Sequence, residues 1–90
     1  MRVTFDPAKR DATLAERGLD FADAVEVFGG STVTIEDCRF AYPEVRFQTF
    51  GWLDGRMVNL VWTPTSDGRR IISMRKANDR EKSRYAEQLG

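Results

Sequence analysis

The N-terminal third of the chain has the spacing of apolar residues that is typical of amphipathic helices. Apolar residues recur at intervals of three and four at Ala8, Ala12, Ala15 and Leu19. Asp6-Pro7 provides a capping residue followed by a proline suited to the first helical position, and Gly18 provides a stop. A second helix is predicted from Asp20 to Gly29-Gly30, with an apolar stripe at Phe21, Ala24, Val25 and Phe28.

After residue 30 the pattern changes to alternation of apolar and polar residues, which predicts strands. Four strands are predicted, at 32–36, 45–53, 56–63 and 69–75. Asp54-Gly55 lies between two of them and is a strong signal for a two-residue hairpin. Residues 31–75 are therefore predicted to form an antiparallel meander, with residues 1–5 as a candidate edge strand.

A short helix is predicted at the end of the chain. Asn78 can cap it, with Glu81 as the reciprocal partner three residues later. This helix is thinly apolar, so it either lies loosely on the domain or presents a face to a partner. Two N-terminal helices and a C-terminal helix, segregated to one face of an antiparallel meander sheet, predict an α+β fold in a single domain over residues 1–90.

The composition excludes several classes of function. The chain has 90 residues, 41% hydrophobic and 31% charged, which is typical of a soluble globular domain. The N-terminus lacks the apolar stretch of a signal peptide, so we expect a cytoplasmic protein. One cysteine and no histidine exclude a Ser-His-Asp or Cys-His nucleophile and a Cys/His zinc site. Proton transfer would have to use Glu, Asp, Tyr, Lys or Arg, and no metal or cofactor is expected.

The zero net charge conceals an asymmetry between the two halves of the chain. Residues 1–45 carry five cations and nine anions, whereas residues 46–90 carry nine cations and five anions. This distribution predicts a basic patch in the C-terminal half, which would attract a polyanion. The alternative is that the two halves neutralise each other through solvated ion pairs.

Residues 69–76, Arg-Arg-Ile-Ile-Ser-Met-Arg-Lys, form the most informative stretch. Guanidinium groups match phosphate oxygens, so these cations can clamp a phosphate, although charges at a strand edge also serve solubility. In a regular strand Arg70 and Arg75 point to opposite faces. Both can contact one phosphate only if the strand twists or bulges.

Cations and aromatic rings also alternate in the strand before the hairpin, at Arg46, Gln48, Phe50 and Trp52. This combination suits single-stranded RNA, whose bases stack on rings. The alternative is that Phe50, Trp52 and Trp62 belong to the core. In the last helix, Tyr85 lies four residues after Glu81, so the pair can act in proton transfer, or Tyr85 can simply dock the helix.

Several segments resemble the BrnT family of toxins, the toxin halves of bacterial type II toxin–antitoxin modules. The resemblance covers nearly the whole chain in order, and Arg70 to Ala77 is its most specific part. The segments that carry it are Phe5-Asp6-Pro7-Ala8-Lys9, Glu16-Arg17-Gly18-Leu19-Asp20-Phe21, Ala24, Val27-Phe28, Glu44-x-Arg46 with Gly51, Arg70-Ile71-Ile72-Ser73-Met74-Arg75-Lys76-Ala77-Asn78, Arg80-Glu81 and Tyr85.

The resemblance implies a fold similar to the RelE-like ribonucleases and a metal-independent cleavage of RNA that inhibits translation. It also implies a BrnA-like, DNA-binding antitoxin as the partner. On this hypothesis, Arg75, Arg70 and Arg46 clamp the phosphate, and Glu81 or Tyr85 transfers protons. The further RNA-binding residues are Lys76, Arg69 and Arg80.

The chain departs from the family pattern at one position. Where many relatives read Lys-His-Gly, this chain has Glu16-Arg17-Gly18, and an arginine cannot shuttle protons at neutral pH. Two alternatives to a nuclease therefore stay open: an inactive module that binds antitoxin or RNA, and a structural domain of a larger assembly.

Overall fold

A computed structural model describes all 90 residues as a five-stranded sheet with three α-helices. The strands are arranged in the order β1-β5-β4-β3-β2. In chain order the elements are β1 (Arg2–Phe5), α1 (Pro7–Arg17), a 3₁₀ turn (Phe21–Asp23), α2 (Ala24–Gly29), β2 (Thr32–Glu36), β3 (Phe47–Leu53), β4 (Arg56–Pro64), β5 (Gly68–Lys76) and α3 (Asp79–Leu89). The α+β class predicted from the sequence is confirmed.

The sheet is mixed, so the prediction of an antiparallel meander is wrong for the sheet as a whole. Strands β2 to β5 do pair antiparallel in succession, but β1 pairs parallel with β5. β1 lies at the edge opposite to β2, and α1, the 3₁₀ turn and α2 connect the two edges. Gly68 permits the close approach of β1, since a Cβ at this position would overlap the carbonyl of Arg2.

The capping signals of the first helix are confirmed, but its predicted apolar stripe is wrong, because Ala8, Ala12 and Ala15 are exposed and α1 buries no residue. The Asp6 carboxylate accepts a hydrogen bond from the Ala8 amide at 2.9 Å, and Gly18 ends α1 with φ of 69°. The second predicted helix is a 3₁₀ turn followed by the short α2. The tighter turn changes the phase of the side chains, so that Val27 is buried while Val25 is 50% exposed.

Helices cover both faces of the sheet, which corrects the prediction that they lie on one. We call the face packed against α1, the 3₁₀ turn and α2 the inner face. Its core contains Leu19, Phe21, Ala24, Val27, Leu53, Val58, Leu60, Trp62, Ile71 and Met74. The opposite face, here the open face, carries α3 over a smaller cluster of Phe50, Met57, Ala77, Tyr85 and Leu89. Both faces need cover because β3 and β4 alternate between two sets of apolar side chains.

The start of α3 agrees with the sequence prediction. The Asn78 side chain accepts from the Glu81 amide at 2.8 Å, and the Glu81 carboxylate accepts from the Asn78 amide at 3.0 Å. This capping box fixes the entry of α3 directly after β5. None of the three helices is long and apolar enough to cross a membrane.

Candidate phosphate-binding site on the open face

Rows of side chains, most of them polar or charged, cross the open face from its uncovered part to the edge of the α3 cluster. Cross-strand pairing defines which residues share a row, because paired residues point to the same side of a sheet. The rows are Asp37, Arg46, Thr63 and Arg70; Ile35, Gln48, Val61 and Ser73; and Val33, Phe50, Asn59 and Arg75. Asp37 and Arg46 lie just outside β2 and β3 but continue the ladder, since the Asp37 amide donates to the Arg46 carbonyl at 2.8 Å.

A β-bulge in β5 brings Arg70 and Arg75 to the same face. Ser73 pairs with Val61 whereas Ile71 pairs with Trp62, so that one extra residue is accommodated between them. Without the bulge the two arginines would point to opposite sides, as regular alternation predicts. Their Cα atoms lie two rows apart, roughly 13 Å along the strand. At this separation the guanidinium groups of Arg70 and Arg75 can approach one phosphodiester from opposite sides.

Arg75 is held at the centre of the candidate site by α3. Its Nη1 and Nη2 donate to Oε1 and Oε2 of Glu81 at 2.7 and 2.8 Å, which is a bidentate ion pair. Both residues are partly buried. The hydrogen bonds from Arg75 lower the pKa of Glu81 despite the opposing effect of burial, and the same bonds raise the pKa of Arg75. Glu81 is therefore an anion at neutral pH.

Tyr85 docks α3 on the sheet, as one of the two sequence interpretations expected. Its ring stacks on Phe50 with centroids 4.4 Å apart and an interplanar angle of 28°. The Tyr85 side chain lies in the open-face cluster, yet no buried side-chain oxygen or nitrogen lacks a hydrogen-bond partner. Because the Tyr85 hydroxyl forms no hydrogen bond, its oxygen must retain contact with solvent. A proton-transfer role for this hydroxyl stays a prediction.

Arg39 is a component of the site that the sequence reasoning missed. It lies in the loop between β2 and β3, and its positive charge is close enough to lower the pKa of both Glu81 and Arg75. Asp37 positions it by accepting from Arg39 Nε and Nη2, both at 2.8 Å. The only signal in the sequence is the Asp37-x-Arg39 spacing, which does not reveal that the loop folds toward β5.

The Asp37 carboxylate anchors the whole loop. Its side chain is completely buried, and it also accepts a hydrogen bond from the Tyr42 hydroxyl at 3.2 Å. The Arg39 guanidinium, supported by the Arg39 amide and the Tyr42 hydroxyl, overcomes the effect of burial and lowers the pKa of Asp37 to about 2. Arg39 is thus held rigidly near Arg75.

The remaining residues predicted for the site lie on different parts of the molecule. Arg46 lies on the open face, bound to Glu44 at 2.8 Å, with its guanidinium 4.1 Å from the centre of the Tyr42 ring. Arg70 is exposed on the same face, and Arg80 is exposed near the start of α3; neither forms an ion pair. Lys76 pairs with Val58, at the margin of the inner face.

Arg69 does not join the site. Its guanidinium covers the Phe28 and Trp62 rings on the inner face, at 4.1 and 4.6 Å from their centres. The structure therefore gives Arg69 a packing role, on the side of the sheet opposite to Arg75. Its predicted contact with RNA has no support from this placement.

Ion pairs between the two halves of the chain do not neutralise the excess positive charge of the C-terminal half. Only the exposed pair of Arg2 and Asp67, at 3.6 Å, joins distant parts of the two halves. Arg46 pairs with Glu44, two residues away, and the other salt bridges lie within one half. Most cations of the C-terminal half are therefore available to bind an external anion. No group of three or more Asp, Glu or Cys side chains is arranged to hold a metal ion.

An α+β domain that exposes arginines on a polar sheet face, beside an acidic helix start, has the features of a protein that acts on a phosphodiester. The profile of the family described as ribonuclease toxin, BrnT, of type II toxin–antitoxin system matches residues 5–81. The chain belongs to the BrnT family, as its resemblance to that family implied. It is thus a toxin of a type II toxin–antitoxin system, with RNA as its target and an antitoxin as its partner. A search of curated proteins finds no match to the chain.

Proposed function

We propose that this toxin cleaves RNA on the open face without a metal ion, by attack of the 2′-hydroxyl on the adjacent phosphate. The observation that supports this most directly is the bulge in β5, which places Arg70 and Arg75 on one face with Arg46. Fixed cations around a phosphate stabilise the negative charge that develops on its oxygens. In this proposal arginines supply the charge stabilisation that a metal ion supplies in other nucleases.

The reaction needs a base and an acid. A base removes the proton of the 2′-hydroxyl, O2′ bonds to phosphorus, and the bond from phosphorus to O5′ breaks as O5′ receives a proton. The products are a 2′,3′-cyclic phosphate and a 5′-hydroxyl. Glu81 is ionised and can accept a proton, although its lowered pKa makes it a weak base. Tyr85, whose hydroxyl is free of hydrogen bonds, is then the candidate proton donor.

Arg75 changes partners in this mechanism. In the free protein its guanidinium is neutralised by Glu81 through two short hydrogen bonds. A phosphate entering the site competes with that carboxylate, and Arg39 adds a second positive charge beside it. Glu81 keeps its hydrogen bond to the Asn78 amide after Arg75 turns toward the substrate. The carboxylate then becomes available to accept a proton.

The cellular role follows from this chemistry. Cleavage of RNA in the cytoplasm would inhibit translation, and a BrnA-like, DNA-binding antitoxin would neutralise the toxin. The overall likeness to RelE-like ribonucleases belongs to the same proposal. A second candidate, an inactive module that binds antitoxin or RNA, is favoured by the neutralised Arg75 and by Arg17 in place of the histidine of many relatives.

Replacement of Arg75 tests the proposal. We expect Arg75→Gln to lower the rate of cleavage of single-stranded RNA about 10²–10³-fold, because a donor to the developing charge is lost. Cleavage by the wild-type protein should continue in excess EDTA, and its induction without antitoxin should arrest growth. Arg84→Gln, which removes an exposed cation of α3 that makes no ion pair, is the matched control.

The inactive module makes the opposite prediction. It requires that the wild-type protein leaves RNA intact and allows growth at an expression level confirmed by blotting. Unfolding temperatures of Arg75→Gln and Arg75→Lys show whether loss of activity reflects the fold. A folded Arg75→Gln protein with full nuclease activity would refute the assignment of Arg75.

A further inference from the structure

Trp52 is the aromatic side chain near the open face that neither the core nor the proposed reaction explains. Phe50, two residues earlier, is buried under Tyr85, whereas Trp52 is 37% exposed at the hairpin between β3 and β4. More than a third of Trp52 is thus open to solvent and available to a ligand. Its surroundings therefore indicate what it contacts.

Trp52 lines a cleft whose charged residues are all cations. The cleft has a volume of about 400 Å³, which lies within the range of small-molecule sites, and is formed by Trp52, Gly55, Arg56, Met57, Lys76 and Lys82. Arg56 and Lys76 form no salt bridge, and Lys82 has only a fully exposed Asp79 carboxylate at 3.9 Å. No carboxylate lines this cleft, and its single ion pair, between Lys82 and Asp79, is long and exposed.

A neighbouring cavity of about 370 Å³ is lined by side chains of both charges. It shares Arg56 and Lys76 with the Trp52 cleft and adds Arg17, whose Nη1 donates to the Met74 carbonyl at 2.9 Å. This second cavity also contains the carboxylates of Asp23 and Asp54. An anion is therefore better accommodated in the Trp52 cleft than beside Arg17.

The cleft lies one row away from Arg75 on the open face, because Trp52 and Met57 pair in the row that follows Phe50, Asn59 and Arg75. Lys76 directly follows Arg75 in β5, and Lys82 directly follows Glu81 in α3. Arg80, which is exposed in the first turn of α3, lies between Lys76 and Lys82 in the chain. A single RNA strand that crosses this turn would contact Arg75 on one side and the Trp52 cleft on the other.

We propose that the Trp52 cleft binds a nucleotide of the RNA substrate outside the cleaved bond, and this rests on the proposed ribonuclease function. The base stacks on the indole of Trp52, and Arg56, Lys76 and Lys82 contact the flanking phosphates. Base stacking on an aromatic ring flanked by cations is the usual way to hold single-stranded nucleic acid without reading its sequence. An acidic segment of the antitoxin is a less suitable occupant, because it would not use the path of cations that leads to Arg75.

A single-stranded 2′-O-methyl RNA hexamer tests the cleft, since it lacks the attacking hydroxyl and stays intact. Binding should quench the fluorescence of Trp52, while Trp62 is buried on the inner face and contributes a constant signal. We expect Trp52→Leu to abolish the quenching and to weaken binding roughly 5- to 100-fold. Arg56→Gln should lower the slope of log affinity against log salt by about 0.7, the value for one phosphate contact on a single strand.

Matched controls separate the cleft from the rest of the surface. Phe40→Leu removes the 71% exposed ring of another loop, and Arg84→Gln removes another exposed cation; both should bind the hexamer as the wild type does. Unchanged binding and quenching in Trp52→Leu, in a wild-type background that cleaves RNA, would overturn the cleft and leave the nuclease intact. Loss of antitoxin affinity in Trp52→Leu with normal hexamer binding would overturn it in favour of a protein interface.

The ribonuclease function and the Trp52 cleft can be refuted independently of each other. If the wild-type protein cleaves no RNA and causes no growth arrest, the nuclease function is wrong. Binding of the hexamer that depends on Trp52 and Arg56 would then still support the cleft as an RNA-binding site. Absence of hexamer binding by the wild-type protein would refute the cleft whatever the result of the cleavage assay.

Discussion

The two faces of the sheet differ in what their side chains do for the protein. The inner face is covered mainly by the 3₁₀ turn and α2 over ten buried apolar residues, and Arg69 covers aromatic rings on this face. The open face is only partly covered by α3, over five buried residues, and the rest of it is polar. The difference indicates that stability is concentrated on one side of the sheet, which leaves the other side free to carry charges suited to binding.

Removal of a large inner-face side chain should have the largest effect on stability. Phe21 is 1% exposed and contacts Phe5 edge to face, with centroids 5.9 Å apart. We expect Phe21→Ala to lower the free energy of unfolding by about 3–5 kcal/mol, measured by urea denaturation. The control Val25→Ala removes a half-exposed side chain nearby and should change it by no more than ~0.5 kcal/mol. Similar costs for both variants would contradict the placement of Phe21 in the inner-face core.

The open face depends on one buried charged group, the Asp37 carboxylate, which holds the loop that carries Arg39. We expect Asp37→Asn to lower the free energy of unfolding by about 2 kcal/mol, because hydrogen bonds to a charged acceptor are weakened. The pKa of Asp37 is lowered to about 2 from the ordinary 3.8, so the stabilisation is present above pH 3.8. It is lost as the pH falls through about 2.

Urea denaturation of both proteins at several pH values checks this prediction. The gap in unfolding free energy between wild type and Asp37→Asn should be constant at neutral pH and should shrink between pH 4 and pH 2. The variant should also lose nuclease activity, since Arg39 is no longer held. A gap that does not change with pH would mean that the Asp37 charge does not anchor the loop.

The adjacent residues Arg69 and Arg70 lie on opposite faces of the sheet, so replacing each in turn tests the difference between the faces most directly. The expected effects are smaller than those of Phe21→Ala and Asp37→Asn. Arg70→Gln should reduce kcat/KM for RNA about tenfold, equivalent to ~1.4 kcal/mol, with little change in stability. Arg69→Gln should retain activity and lose about 0.5–1 kcal/mol of stability, because its guanidinium leaves the Phe28 and Trp62 rings. Equal losses of activity in the two variants would show that the faces are not functionally distinct.

Much of the local structure could be predicted from the sequence because its signals are local. Asp6-Pro7 and Gly18 set the limits of α1, Asp54-Gly55 forms the hairpin with φ of 51° and 76°, and Asn78 begins α3. Each of these depends on a residue and its near neighbours. The predicted strand limits differ from the observed ones by two residues or fewer for the same reason.

The candidate site could be predicted only in part, because it depends on long-range geometry. The sequence indicated Arg75 and Glu81 as site residues. Regular alternation along the strand predicted that Arg70 and Arg75 point to opposite faces, and only the pairing of β4 with β5 reveals the bulge that brings them to one face. Arg39 was missed since its position depends on the fold of a loop around Asp37. The parallel direction of β1 and the placement of α3 on the opposite face likewise depend on contacts between distant segments.

The capping box of α3 has a consequence for how selective the toxin is toward anions. Glu81 already occupies the donors of Arg75, so any ligand must displace an internal counter-ion before it can bind there. A single small anion competes poorly with a carboxylate that is tethered to the same chain and already aligned with both donors. A polymer that brings several negative groups at once can displace this carboxylate, so the resting protein favours polyanions over single small anions.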